Sequence, residues 1–134
     1  MADHYTALIY TMVLMSAADR DMTDQELRTI GEMVSYLPIF RDYDTNQLPE
    51  AAKECAQLLS KEDGLDEAFA LIKGKLSPRL RETAYALACD VAAADGHASQ
   101  EELRLLELIR DTLELDGLTA AAIERGARVR HRTL

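Results

Sequence analysis

The chain has 134 residues, of which 48% are hydrophobic and 29% charged, proportions typical of a folded globular protein rather than a disordered one. This length suits one domain with a substantial core. The formal net charge of -9 at pH 7 argues against a general nucleic-acid binder, because such proteins need basic surface to neutralise phosphates. The acidic balance is compatible with cation binding, although solubility alone also accounts for it.

The first predicted element is the most hydrophobic stretch of the chain, residues 5–18, with the sequence YTALIYTMVLMSAA. These 14 residues are fewer than the roughly 20 that a membrane-spanning helix needs. The preceding MADH carries an acid and no basic residue, unlike the start of a secretory signal. We therefore expect a buried core helix and a cytoplasmic protein.

An amphipathic helix is predicted next, after a short acidic turn. Its start, Thr23-Asp24-Gln25-Glu26, has the form of a capping box, in which the threonine hydroxyl and the glutamate carboxylate each accept a backbone N–H. An apolar stripe with a period of 3.6 residues follows, formed by Leu27, Ile30, Val34 and Leu37.

The middle of the chain predicts a connection and then two helices. Residues 37–44, LPIFRDYD, lack a clear period and predict an ordered connection in which Ile39, Phe40 and Tyr43 pack inward. Residues from about 45 to 75 predict two helices that are broken near KEDG at residues 61–64. Ser77 and Pro78 then predict a cap followed by a proline in the first helical position.

The last third repeats the order of the first. Residues 84–94, AYALACDVAAA, predict a second helix that is apolar nearly all round and therefore central. Ser99 and Glu102 predict a second capping box, and Asp116-Gly117 a helix end with Thr119 as the final cap. The helix between them is predicted to bury a stripe formed by Leu103, Leu106, Arg110 and Leu113, in which Arg110 is the one polar residue.

Two stretches, AADRDMTDQELRTI at residues 17–30 and AADGHASQEELRLL at residues 93–106, are identical at six of fourteen positions with an offset of 76. This recurrence suggests internal duplication, with repeat-like units at about 5–37 and 78–115 in a single domain over residues 1–134. No segment shows the alternation of a strand. The fold class predicted is all-α, a single compact bundle of about seven helices with two pseudo-repeated helix–acidic turn–helix units.

Helix capping explains the carboxylates that follow each turn, but not Asp19, Asp21 and Asp95, which precede the caps. Hard cations such as Ca²⁺ or Mg²⁺ need several oxygens converging from a short loop, and Asp19, Asp21 and Glu26 can contribute to such a set. The spacing is not that of an EF-hand, because neither turn has glycine at its sixth position or glutamate at its twelfth. In the second turn His97 replaces Asp21, and imidazole favours Zn²⁺ or another transition metal.

At these turns the sequence resembles the bacterial tellurite-resistance TerB family. The resemblance rests on ALACDVAAADGHASQEELRLLELI at residues 86–109, an alanine-rich helix followed by Asp-Gly, a small polar cap and Glu-Glu. Residues 10–34, YTMVLMSAADRDMTDQELRTIGEMV, form a second and more divergent copy. The first copy departs from the pattern at Arg20, which replaces the glycine found as Gly96 in the second and places a positive charge beside the turn.

Membership of this family implies an all-helical domain over nearly the whole chain, with acidic clusters considered to bind metal. It also implies a role in tellurite resistance or a wider stress response, often with a membrane-embedded protein complex as partner. Carried onto this chain, the metal ligands implied are Asp19, Asp21, Glu26, Asp95 and Glu102.

Catalytic motifs are lacking from the sequence: it has no glycine-rich phosphate loop, HExxH, GxSxG or Cys/His nucleophile arrangement. Cys55 and Cys89 are expected to be buried, reduced thiols. Asp90 is either an outer carboxylate of the second turn or the partner of a buried arginine. Four arginines between residues 125 and 132 either complement a helix C-terminus or dock to an acidic partner or anionic lipid.

The function expected is a non-catalytic cytoplasmic module. Its two acidic turns would face each other and bind one or two divalent cations, Ca²⁺ or another, and link ion state to docking on a protein partner. The alternative is a structural protein-interaction domain whose acidic turns are only helix caps and hold no metal.

Overall fold

Seven α-helices occupy the residues that the computed structural model describes, which are 3–17, 23–94 and 98–134. No strand occurs within these ranges, so the all-α prediction is confirmed. Two short 3₁₀ turns, Pro38–Phe40 and Thr45–Gln47, lie between the second and third helices. The helices are α1 His4–Ser16, α2 Asp24–Tyr36, α3 Leu48–Leu59, α4 Gly64–Lys75, α5 Pro78–Ala93, α6 Gln100–Thr112 and α7 Gly117–Arg130.

Helix α1 is the centre of the bundle, as its all-round apolarity predicted. Every residue from 7 to 16 is buried, and the helix packs against α3, α4 and α5. Thr11, in the middle of this helix, is satisfied locally, because its hydroxyl donates to the Ala7 carbonyl at 2.8 Å. Among the described helices, none combines the length and apolarity needed to cross a membrane.

Helix α5 is the second core helix and the main packing partner of α1. It begins as predicted, with the Ser77 side chain accepting the Leu80 N–H at 3.4 Å and Pro78 in the first turn. Small residues let its backbone approach α1 closely. The buried residues of α5 are Ala84, Tyr85, Leu87, Ala88, Cys89 and Ala92.

The buried face of α6 differs from the predicted stripe. The buried residues are Leu105, Ile109 and Leu113, a row with a spacing of four that shares only Leu113 with the predicted stripe. Of the other predicted leucines, Leu106 is partly buried against the core and Leu103 is 46% exposed. The predicted Arg110 is half-buried and pairs with Glu124 of α7, its Nη1 lying 3.6 Å from Oε2. The prediction was wrong because α6 has leucines on several faces, and its neighbours select which of them is covered.

The prediction for Asp116-Gly117 was also wrong, since this pair opens α7 instead of closing α6. The Asp116 carboxylate accepts the Thr119 N–H at 3.1 Å, which makes Asp116 the cap in place of Thr119. Helix α6 ends earlier, at Thr112, and Glu114 two residues later has a left-handed φ of 57°. The Leu115 N–H then reaches back to the Arg110 carbonyl at 3.2 Å, as in a Schellman ending.

The connection after α2 is ordered, as predicted. Phe40 is 3% exposed, and Ile39 and Tyr43 are half-buried against the core. The Tyr43 ring also meets Tyr5 of α1, with ring centroids 5.2 Å apart. The connection therefore fastens the start of α1 to the start of α3.

Candidate functional site

The first acidic turn leads into a complete capping box on α2. The Thr23 hydroxyl accepts the Glu26 N–H at 3.1 Å, and the Thr23 N–H donates to Glu26 Oε1 at 2.8 Å. The threonine oxygen accepts an N–H of the first helical turn that has no carbonyl partner within the helix. The glutamate lies one turn later, so its carboxylate can reach back and accept the threonine N–H.

The second turn leads into the same structure on α6. The Ser99 hydroxyl accepts the Glu102 N–H at 3.1 Å, and the Ser99 N–H donates to Glu102 Oε1 at 2.9 Å. Both predicted capping boxes are therefore confirmed. Glu26 and Glu102 each have a structural role that needs no ligand.

The two boxes share one cavity of about 300 Å³. Residues 76 positions apart in the repeat are thus brought together, because Glu26 and Glu102 both line it. The ends of both core helices reach it too, through Ser16 of α1 and Ala94 after α5. The residues on either side of both acidic turns therefore lie on a single concave surface.

Ser16 is the feature of this cavity that sequence reasoning missed. Its side chain is 5% exposed, and its hydroxyl has no hydrogen-bond partner among the described residues. A buried hydroxyl without a partner is destabilising by about 1–3 kcal/mol. The signal available in the sequence was a lone serine ending an apolar helix, three residues before Asp19.

Three of the five predicted ligands, Asp19, Asp21 and Asp95, lie outside the described residues, as do Arg20 and His97. Within the ranges that the structure covers, no three Asp, Glu, His or Cys side chains are placed to hold a metal ion. Of the five predicted ligands, the structure therefore describes only Glu26 and Glu102.

The charge on this cavity's described wall is negative. Its other lining residues are neutral, with Gln25 and Thr29 among them, so no described lysine or arginine opposes the two glutamates. The N-termini of α2 and α6 carry positive partial charge, which first-turn acids offset.

Asp90 is the partner of an arginine, one of the two alternatives considered for it. Its Oδ1 lies 2.5 Å from Arg130 Nη2 and 3.4 Å from His131 Nε2, which ties α5 to the end of α7. The Arg130 side chain is 55% exposed, so it is not the buried arginine that the prediction supposed. The arginine-rich segment is helical up to this residue.

Both cysteines are buried free thiols, as predicted. Burial raises the pKa of Cys55 and of Cys89 to about 12. Since the thiolate is the nucleophile, neither side chain is activated for catalysis at neutral pH.

Comparison with known proteins agrees with the motif at the two turns. The family model described as "Tellurite resistance protein TerB" matches residues 5–125, which include both turns, the five helices from α2 to α6 in full and most of α1 and α7. No curated protein and no solved structure shows significant similarity. From the family match and the helical fold, we conclude that the chain belongs to the TerB family.

Proposed function

We propose that this chain is a non-catalytic module of tellurite resistance or a related stress response, which binds one or two divalent cations between its acidic turns. The observation that carries the proposal is the shared cavity, where Glu26 and Glu102 meet the unsatisfied hydroxyl of Ser16. The proposed ligand set is Asp19, Asp21, Glu26, Asp95 and Glu102.

Chain connectivity supports the three aspartates as the remaining ligands. Asp95 is bonded directly to Ala94, Asp21 is two residues from Thr23 and Asp19 is three residues from Ser16. All three neighbours line the cavity. Consecutive Cα atoms are only about 3.8 Å apart, so these short segments start from the cavity's edge. Ca²⁺ binds six to eight oxygens, and a set of carboxylates with a serine hydroxyl suits it or Mn²⁺.

In this proposal the ion state regulates docking to a protein partner, for which a membrane-embedded complex is the expectation that the TerB resemblance provides. A bound cation would join the turn after α1 to the turn after α5. Because those turns also start α2 and α6, ion binding would stabilise the outer surface of both helices.

The competing function is a structural interaction domain without metal, and the completeness of both capping boxes favours it. Glutamine distinguishes the two functions, because it also satisfies a capping box but carries no charge. The matched variants are therefore Glu26→Gln/Glu102→Gln, which keeps the boxes, and Thr23→Ala/Ser99→Ala, which removes the cap hydroxyls.

The experiment measures the melting temperature of each protein in EDTA and in excess Ca²⁺, Mn²⁺ or Zn²⁺. An ion at about 100 times its Kd should stabilise the wild type by about 2.7 kcal/mol, or roughly 10 °C. We expect Glu26→Gln/Glu102→Gln to melt like the wild type in EDTA and to lose most of the ion-induced rise.

The cap variant provides the opposite pattern. Thr23→Ala and Ser99→Ala should each cost about 1 kcal/mol with or without ions, while the ion-induced rise persists. If no ion shifts the wild-type melting temperature, metal binding is wrong and the turns are caps alone.

A further inference from the structure

The last helix and the residues after it differ in charge from the rest of the chain. Residues 117–134 contain four arginines and one acidic residue, which gives a net charge of +3. Residues 1–116 contain 11 basic and 23 acidic residues, which gives a net charge of -12. Such an asymmetry is typical of a basic segment that meets an anionic partner.

Three of these arginines are free on the outside of α7. Helix α7 packs mainly against α5, and its buried residues are Ala120 and Ala127. Arg125 lies on the opposite face of the helix, and Arg128 and Arg132 are exposed near its end. None of the three side chains forms an ion pair or a hydrogen bond with another described residue.

The helix dipole accounts for only part of this charge. Basic residues are favourable in the last turn of a helix, but the effect falls off within that turn. Arg128 and Arg130 lie in the last turn of α7, and Arg130 also pairs with Asp90. Arg125 precedes that turn and Arg132 follows the helix, so both need another explanation.

Aliphatic side chains are exposed on the same face of α7. Leu118 is 82% and Val129 48% exposed, and Ala122 is exposed between them. At about 100° per residue, Leu118 and Val129 both lie within about 40° of Arg125 around the helix axis. We call Leu118, Ala122, Arg125 and Val129 the outer stripe of α7. It has the spacing of one face of a helix and contains no acidic residue.

This combination suits a lipid surface better than a folded protein partner. The outer stripe is convex, because it is the outside of a single helix, and its shape sets no register for a rigid partner. A helix that lies in the plane of a membrane buries aliphatic side chains among the headgroups while long basic side chains reach the phosphates. The guanidinium group of arginine also matches the oxygens of a phosphate with two parallel hydrogen bonds.

We propose that α7 docks the protein on an anionic lipid surface, with the helix parallel to the membrane plane. Leu118 and Val129 would enter the headgroup layer, and Arg125, Arg128 and Arg132 would pair with lipid phosphates. Each arginine near such a surface strengthens binding roughly fivefold. Salt screens the repulsion from acidic residues elsewhere, because charges more than about 8 Å from the lipid contribute little at physiological ionic strength. This surface is separate from the acidic turns and does not depend on the metal-binding function.

Co-sedimentation of the full chain with lipid vesicles tests the proposal. One set of vesicles is phosphatidylcholine alone and the other contains one-third phosphatidylglycerol, both in about 100 mM salt. EDTA is present throughout, because divalent ions bridge acidic proteins to anionic lipids and would confuse this site with the acidic turns. We expect the wild type to bind the anionic vesicles and not the neutral ones.

Matched arginine variants separate the stripe from net charge. Arg125→Gln/Arg132→Gln should weaken vesicle binding roughly twentyfold, because two phosphate contacts are lost. The control, Arg41→Gln/Arg79→Gln, removes the same charge from exposed positions outside α7 and should leave binding unchanged. Leu118→Asn/Val129→Asn should weaken binding about fivefold without any change in charge, since the aliphatic groups no longer enter the headgroup layer.

Three results would overturn the assignment. The first is a wild type that does not bind anionic vesicles. The second is equal weakening in the control variant, which would indicate a general charge effect. The third is displacement of the protein from vesicles by a soluble poly-glutamate peptide at a lower concentration of carboxylate than of lipid phosphate, which would make the stripe a docking site for an acidic protein.

Discussion

At the scale of single residues, burial determines the pH at which the two cysteine thiols ionise. Cys55 is 0% and Cys89 is 4% exposed, and burial raises both pKa values from 9.0 to about 12. In the unfolded chain these thiols ionise near pH 9, whereas the folded chain retains their protons. Their contribution to stability is therefore complete below pH 9 and is lost as the pH rises from 9 to 12, by on the order of 1 kcal/mol per pH unit for each thiol.

Urea unfolding from pH 8 to 11 tests this linkage. The wild type should lose stability steeply above pH 9, and Cys55→Ala/Cys89→Ala should be less stable at pH 7 but show a shallower decrease. Tyr10 and Tyr85 interact electrostatically with Cys55 and Cys89, so the difference in slope reports each thiol together with the tyrosine beside it. Equal slopes in the two proteins would show that the thiols do not cause the alkaline loss.

The sequence correctly predicted that both thiols are buried and free, because an isolated cysteine in an apolar helix has no nearby cysteine or histidine to pair with. It did not predict the missing partner of the buried Ser16 hydroxyl. Whether a hydroxyl is satisfied depends on atoms from distant parts of the chain, and local spacing does not report them.

At the scale of elements, the start of α4 depends on close backbone contact. A Cβ added at Gly64 would lie 2.0 Å from the Leu58 carbonyl oxygen and 3.0 Å from the Leu59 Cα. These are backbone atoms at the end of α3 and cannot rotate away. Gly74, near the other end of α4, has nothing within 4 Å of the same position.

The two glycines form a matched pair for thermal unfolding. Gly64→Ala should destabilise the protein by about 2 kcal/mol or more, because the α3–α4 connection must open to admit the methyl group. Gly74→Ala should stabilise it by about 0.5 kcal/mol through helix propensity. Similar effects at both positions would mean that the contact at Gly64 is unimportant.

Elements with local causes were predictable, and those chosen by neighbours were not. Both capping boxes follow from residues three apart, and the sequence contained all the information that they need. Asp116-Gly117 is compatible with a helix end or a helix start, and the earlier left-handed turn at Glu114 decided between them. The face of α6 was misassigned because Leu103 and Leu105 are equally apolar and only the bundle distinguishes them.

At the scale of the whole molecule, the pseudo-repeat explains why residues of both capping boxes line one cavity. Each core helix, α1 or α5, is followed by an acidic turn and a capped helix, and α1 packs against α5. Ser16, Val91 and Ala94 all reach the cavity, so the ends of both core helices lie side by side. The repeated motif predicted that the two turns face each other, and the packing of α1 against α5 brings Glu26 and Glu102 to one cavity.

The most direct measurement for the metal-binding proposal is the number of divalent ions bound per chain. EDTA-treated wild type and Asp19→Asn/Asp95→Asn are titrated calorimetrically with Ca²⁺, Mn²⁺ and Zn²⁺. We expect the wild type to bind one or two ions of at least one metal and the variant to lose them while melting normally in EDTA. Binding of no ion by the wild type, or unchanged binding by the variant, would contradict the assignment of the two turns as a cation site.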